Sequence, residues 1–223
     1  MSKSVLVVAA HTDDEALGCG GTIARHVAEG DTVHAVFLAD GVTSRIESNS
    51  DELRRREKAA KDAHAILGIQ STHYLGFSDN RLDSVPLLDI VQLLEAKIHI
   101  LQPQVIYTHH HGDLNVDHRI TNQAVLTACR PLPESSVREI FTFEVMSSTE
   151  WSSTSQSAFL PQVYVDITNY LKRKMKALGA YRLEMRAAPH SRSLDHIQAL
   201  ALHRGHSAGF RAAEAFMVMR VVR

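Results

Sequence analysis

The stretch from Ser4 to Glu15 reads SVLVVAAHTDDE and decides how the fold begins. Its first seven residues are dominated by Val, Leu and Ala, which is typical of a strand buried on both faces of a parallel sheet. Apolar residues then recur at helical spacing as far as Ala28, and Gly30 ends that pattern. A buried strand, a short polar turn and a helix in this order predict the first part of a β–α–β fold.

The same alternation of strand and helix patterns continues along the chain. Strands are predicted at 4–10, 32–39, 73–75, 105–108, 140–145, 163–167 and 216–222, and helices at about 16–28, 50–68, 85–101, 118–129, 169–186 and 194–204. This order predicts the α/β class, with a mainly parallel sheet and helices on both of its faces. No linker divides the chain convincingly, so we expect a single domain over residues 1–223.

The composition argues against several classes of protein. The 223 residues include 24 Lys and Arg against 25 Asp and Glu, a net charge of −1, so no strongly basic face is available for a nucleic acid. No apolar run reaches the roughly 20 residues that span a bilayer, and the N-terminus lacks a signal-peptide pattern. Two cysteines suit a reducing compartment. We expect a cytoplasmic globular protein with a small-molecule ligand, either as a monomer or as a homo-oligomer.

A first cluster of candidate functional residues follows the first predicted strand. His11 and Asp14 could together hold a divalent metal such as zinc, while Asp13 points elsewhere and stays unliganded. The alternative interpretation is a helix N-terminus at which acidic residues are favoured by the helix dipole. Three consecutive acids behind a histidine, at the carboxyl end of a strand, fit that alternative poorly.

A second cluster, HHHGDLNVDH from His109 to His118, follows the fourth predicted strand. His118 is the candidate for the third metal ligand, and Asp117 could orient a neighbouring histidine. A solvated His-rich loop is the alternative. Because ligands bind at the carboxyl ends of parallel strands, and both clusters lie at such ends, we favour one shared site.

Three further features are open to a structural explanation. The glycines of Gly18-Cys-Gly-Gly21 lie one turn too late for a dinucleotide-binding fingerprint, so close packing of helix on strand explains them better. Arg54, Arg55 and Arg56 form a solvated helix face, or one of them reaches an anionic substrate group. The Ser- and Thr-rich stretch 147–157, with the single Trp of the chain, is either a sugar-binding lid or an exposed loop.

The two clusters resemble motifs of the PIG-L (LmbE-like) family of zinc-dependent N-deacetylases. AHTDDE at 10–15 is similar to the family signature AHPDDE, and HxxDxNxDH at 110–118 is similar to the second motif of a bacterial branch. The similarity covers nearly the whole chain, because it extends to 57–68, 76–80, 144–151, 192–193, 204–205 and 213–216. The resemblance implies a Rossmann-like α/β fold.

The resemblance also implies a role for each matching residue. The zinc ligands would be His11, Asp14 and His118, although another divalent metal suits the same donors. Asp13 would be the general base and His110 a candidate general acid. The substrate-binding residues would be Arg54, Asp79, Asn115 and Asp117.

Two positions depart from the family pattern. Thr12 stands where the family has proline, and Asn115 stands where some relatives carry a histidine that acts as an acid. The implied reaction is removal of an N-acetyl group from an N-acetylglucosamine-type sugar or glycoconjugate, by a metal-bound water that Asp13 deprotonates. The alternative function is a non-catalytic nucleotide- or metal-binding Rossmann-like module.

Overall fold

A computed structural model describes residues 2–39, 50–152 and 157–223. The strands are β1 (Ser4–Ala9), β2 (Thr32–Ala39), β3 (Ser71–Phe77), β4 (Val105–His109), β5 (Glu139–Phe143), β6 (Val163–Asp166) and β7 (Ala213–Val221). The helices are α1 (Asp14–Ala28), α2 (Ser50–Leu67), α3 (Leu87–Leu101), α4 (Val116–Ala128), α5 (Leu171–Ala180) and α6 (Leu194–His206).

The seven strands form one sheet in the order β3-β2-β1-β4-β5-β7-β6. The first five strands are parallel, and β7 runs antiparallel to both of its neighbours. The chain moves outward from β1 to β2 and β3, and then returns to place β4 on the other side of β1. This reversal creates a crevice at the carboxyl ends of β1 and β4, where ligands bind in open α/β sheets.

Alternate side chains of β1 point into two different hydrophobic cores. Val5 and Val7 are buried against residues of α1, α2 and α5, whereas Leu6 and Val8 are buried against residues of α3 and α4. Helices therefore cover both faces of the sheet. The predicted fold class, α/β with a mainly parallel sheet, is confirmed.

Most predicted elements are present, and the largest difference concerns the helix expected over 169–186. That helix, α5, ends at Ala180, because the chain turns at Tyr181, whose side chain is 1% exposed. The free cysteines Cys19 and Cys129 are both buried. Within the described ranges, the helices are too short or too polar to cross a membrane.

The glycines at the start of α1 pack closely against the sheet. A Cβ on Gly18 would overlap the ring of Phe143 in β5, and one on Gly21 would lie 2.8 Å from Ile167. The helix can approach the sheet this closely only because these positions lack a side chain. The packing explanation of the glycine cluster is therefore confirmed.

We expect Gly18→Ala to lower the free energy of unfolding by about 1–3 kcal/mol, because the buried Phe143 ring must shift to admit a methyl group. Gly179→Ala is the matched control: Gly179 lies inside α5 with open space around it, so alanine should stabilise the protein by about 0.5–1 kcal/mol. Urea unfolding of both variants measures the difference. Equal stabilities would contradict the packing argument.

Candidate active site

Both predicted clusters meet at the crevice between β1 and β4. The first cluster follows β1 and enters α1, while the second follows β4 and enters α4. The amide N–H of Ala10 donates a 2.8 Å hydrogen bond to Nε2 of His109, which ties the ends of the two strands together. Asn115 begins α4 as its N-cap, because its side-chain oxygen accepts the N–H of Asp117 at 2.8 Å.

His11, Asp14 and His118 bring three donor atoms to one buried point. Oδ2 of Asp14 lies 3.3 Å from Nδ1 of His11 and 3.3 Å from Nε2 of His118. The three donors lie within 4.8 Å of one another. Two imidazoles and one carboxylate are a donor set used by catalytic zinc sites, which leave a further position open. These residues could therefore hold a divalent metal.

Carboxylates on the far side of each imidazole fix its orientation. Nε2 of His11 lies 3.0 Å from Oδ2 of Asp117 and 2.9 Å from Oδ1 of Asp79. Nδ1 of His118 lies 3.2 Å from Oδ1 of Asp113. Each histidine thus directs its remaining nitrogen toward Asp14, in the arrangement by which outer carboxylates orient metal-binding imidazoles.

Asp117 lies beneath the site and does not face the cavity. Its carboxylate is fully buried and accepts the N–H groups of Asn80 at 2.7 Å and Leu82 at 3.0 Å, in addition to its contact with His11. Asp117 therefore contacts His11 as a residue that orients it would, and it is not among the residues that line the cavity.

The charges around the donor atoms favour a cation. Burial alone would lower the pKa of both His11 and His118, but the neighbouring carboxylates raise it by more. As a result, the pKa of His11 lies well above its ordinary value, and that of His118 is raised to about 9. Burial would raise the pKa of Asp14, yet His118 and His109 hold it well below its ordinary value. A site that stabilises positive charge next to an ionised carboxylate fits a divalent metal.

Asp13 lies beside this cluster without joining it. Its backbone has φ 115° and ψ −29°, a conformation that costs a residue with a side chain about 1–3 kcal/mol. Oδ2 accepts a 3.1 Å hydrogen bond from Nη1 of Arg192, and Oδ1 lies 3.5 Å from Nη2 of Arg56. Burial raises the pKa of Asp13 to about 6, although both arginines oppose that rise.

Arg56 is the member of the arginine run that reaches the site. Its Nε and Nη2 donate to Oγ1 and the carbonyl oxygen of Thr12 at 2.9 and 2.7 Å, and its Nη1 lies 2.9 Å from Glu184. Thr12, at the position of the family's proline, thus supplies a hydroxyl acceptor that proline lacks. Arg54, predicted to bind substrate, is exposed and lies outside the cavity lining.

A cavity of about 210 Å³ opens over these residues. Its lining consists entirely of polar and charged residues: His11, Asp13, Asp14, Arg56, Asp79, Asn80, Asn115, His118, Ser147, Ser148, Glu184 and Arg192. Asp79 and Asn115, both predicted to bind substrate, line it. His110, the candidate acid, is not among the lining residues. Its Nε2 lies 3.0 Å from the carbonyl oxygen of Ser157.

Several lining residues were not predicted from the sequence. Arg192 is 179 residues from its partner Asp13, and only the folding of the segment between α5 and α6 brings them together. Arg56 was one of three arginines considered from the sequence, and a signal existed for choosing it. It lies four residues before Ala60 and seven before Ala63, on the buried face of α2.

The predicted lid is described only in part. Ser147 and Ser148 line the cavity, whereas the side chain of Trp151 is about half exposed, with its ring centroid 5.6 Å from that of His190. Residues 153–156 lie outside the described residues. The lid function stays a prediction.

Comparison with known proteins gives consistent results. Residues 6–129 match the family described as PIG-L: GlcNAc-PI de-N-acetylase. An Escherichia coli (strain K12) protein named "Uncharacterized deacetylase YaiS" is 31% identical, covering 81% of this chain and 91% of its own. A Bacillus cereus protein named "Probable N-acetyl-alpha-D-glucosaminyl L-malate deacetylase 2" is 30% identical, covering 84% and 86%.

A similar fold is present among solved structures. The crystal structure of the conserved protein TT1542 from Thermus thermophilus superposes with a TM-score of 0.79 and 26% identity. The match covers 99% of this chain and 96% of that one. The architecture described above is therefore shared along nearly the whole of a solved protein chain.

We expect the purified chain to bind about one divalent ion, and both His11→Ala and His118→Ala to lose it, since each removes one of three protein ligands. Elemental analysis after zinc loading measures the content. His110→Ala is the matched control, because His110 belongs to the same histidine cluster after β4 as His118 but contacts Ser157. Retention of the ion by either ligand variant would contradict the assignment.

Proposed function

The chain belongs to the PIG-L family, and from this premise we propose that it is a metal-dependent deacetylase acting on an N-acetylglucosamine-type sugar or its conjugate. The names of the family and of the Bacillus cereus relative support this substrate class. The observation that carries the proposal is the position of Asp13. Its carboxylate faces the same cavity as His11, Asp14 and His118 but is held by two arginines, apart from the donor atoms.

His11, Asp14 and His118 would hold the ion, which we propose to be zinc because two imidazoles and one carboxylate suit it. When bound, zinc acidifies a neighbouring water and polarises the acyl carbonyl. Asp117 and Asp113 keep the two imidazoles oriented for this purpose.

Asp13 acts as the general base of amide hydrolysis. It accepts a proton from the attacking water as the water oxygen bonds to the acyl carbon. The C–N bond then breaks, and Asp13 returns the proton to the leaving nitrogen, giving acetate and an amino sugar. Asp13 serves in both steps because His110 is turned toward Ser157.

Asn115 supplies a hydrogen-bond donor for the developing oxyanion. Its Oδ1 accepts the N–H of Asp117 as the cap of α4, so its Nδ2 is the side-chain group left to face the cavity. An amide N–H fixed in this way stabilises negative charge on the acyl oxygen without reorganisation.

The uniformly polar lining favours a hydrophilic substrate with a small acyl group. Asp79, Asn80, Ser148 and Arg192 offer acceptors and donors suited to sugar hydroxyls. A long acyl chain would find no apolar contact among the lining residues, and it would remove polar groups from water without compensation.

We expect Asp13→Asn to lower kcat for acetate release by roughly 10²- to 10⁴-fold, because the amide cannot accept the proton. The metal content should stay at the wild-type level, since Asp13 is not a ligand. Acetate release from N-acetylglucosamine and its conjugates measures the effect. A zinc-loaded Asp13→Asn protein with wild-type activity would disprove the role of Asp13. A zinc-loaded wild type that releases no acetate would favour the non-catalytic metal-binding alternative.

We expect the wild type to prefer the acetyl group over longer acyl groups. For N-hexanoylglucosamine, kcat/KM should be about tenfold or more below that for N-acetylglucosamine, because the added methylenes meet only polar walls. Parallel assays of released glucosamine measure both substrates. Equal or faster cleavage of the hexanoyl compound would contradict a cavity built for acetyl.

A further inference from the structure

The unusual backbone of Asp13 is hydrogen-bonded to a buried carboxylate that takes no part in the proposed reaction. With φ at 115°, Asp13 lies in a region that residues with a side chain rarely adopt. Its amide N–H donates a 2.9 Å hydrogen bond to Oε2 of Glu15. Glu15 is fully buried, so its carboxylate needs protein groups to replace water.

Tyr181 and His64 supply those groups from two other segments. The hydroxyl of Tyr181 donates to Oε1 of Glu15 at 2.8 Å, and Nε2 of His64 lies 3.3 Å from the same oxygen. Nδ1 of His64 lies 3.1 Å from Oγ1 of Thr72, and the ring stacks on Phe37 with centroids 5.4 Å apart. Both side chains are buried. Glu15 is thus held at Oε1 by Tyr181 and His64 and at Oε2 by the amide N–H of Asp13.

We propose that Tyr181 and His64 are positioning residues: through Glu15 they hold the backbone of Asp13 in the left-handed conformation that presents its carboxylate to the cavity. Neither residue lines the cavity, so neither touches substrate. The catalytic part of this inference rests on the proposed function, whereas the effect on the Asp13 backbone does not.

Through this series of contacts, loss of the Tyr181 hydroxyl would change the position of the Asp13 backbone. Without the Tyr181 hydroxyl, Oε1 of Glu15 keeps only its longer contact with His64 among the described residues. The carboxylate then moves toward His64, and its bond to the Asp13 N–H weakens. A displacement of about 1 Å at a reacting group can lower a rate by about 10²-fold.

Tyr181→Phe tests the proposal, with Tyr107→Phe as its matched control. Both tyrosines are buried, and each hydroxyl contacts a histidine; that of Tyr107 lies 3.0 Å from Nε2 of His26, away from Glu15. Three quantities are measured for each variant: kcat and KM for acetate release, bound zinc, and hydrogen exchange of the Asp13 amide. His64→Phe, which keeps a ring stacked on Phe37, is the second variant if Tyr181→Phe does not fold.

For Tyr181→Phe we expect kcat to fall about tenfold or more, KM and bound zinc to change less than about twofold, and Asp13 to exchange clearly faster. Tyr107→Phe should leave all of these near the wild-type values. Unchanged Asp13 exchange in the folded variant, or an equal loss of kcat in the control, overturns the proposal. If the wild type itself releases no acetate, the proposed function fails, and Asp13 exchange alone decides the positioning role.

Discussion

The parallel pairing of β1 with β4 is the constraint on which the site depends. The register Val5↔Val105 to Val7↔Tyr107 aligns the ends of two strands that lie about a hundred residues apart in the chain. Because both strands are parallel, their polar continuations leave at the same edge of the sheet. His11 and His118 can then share Asp14, and the bond between Ala10 and His109 keeps the alignment at the last residues.

Burial of so much charge in one place requires that each ionised group have a partner. An unpaired buried charge is strongly destabilising, and seven acidic side chains near the site are buried: Asp13, Asp14, Glu15, Asp79, Asp113, Asp117 and Glu184. The histidines, two arginines, backbone N–H groups and hydroxyls described above offset them. Asp113, for example, lies beside His118 and accepts hydrogen bonds from the hydroxyls of Ser148 and Thr149. Burial would raise the pKa of Asp113, but His118 and then these hydroxyls keep it below its ordinary value.

The features that depend on local sequence patterns were predicted, whereas the contacts that depend on how the loops fold were not. The strand SVLVVAA was predicted from its short-range pattern of apolar residues. The acids and histidines after β1 and β4 were predicted to share a site because the carboxyl ends of parallel strands lie at one edge of the sheet. The choice of Arg56 over Arg54 depends on the rotation of α2, which the buried Ala60 and Ala63 set. Arg192 depends on how the segment after α5 folds back, and no local pattern encodes that. The contact of His110 with Ser157 joins residues 47 apart in the chain, and no local pattern indicates it.

Two adjacent aspartates acquire different properties from the backbone between them. The left-handed Asp13 sends its carboxylate toward Arg192, while Asp14, the first residue of α1, turns toward the histidines. Burial accordingly raises the pKa of Asp13, and the imidazoles lower that of Asp14. Pairs of titratable groups whose surroundings push their pKa values apart can take different chemical roles. The strained peptide at Asp13 is therefore what separates the proposed base from the proposed ligand, and the buried Glu15 that accepts its N–H is as much a part of the site as either.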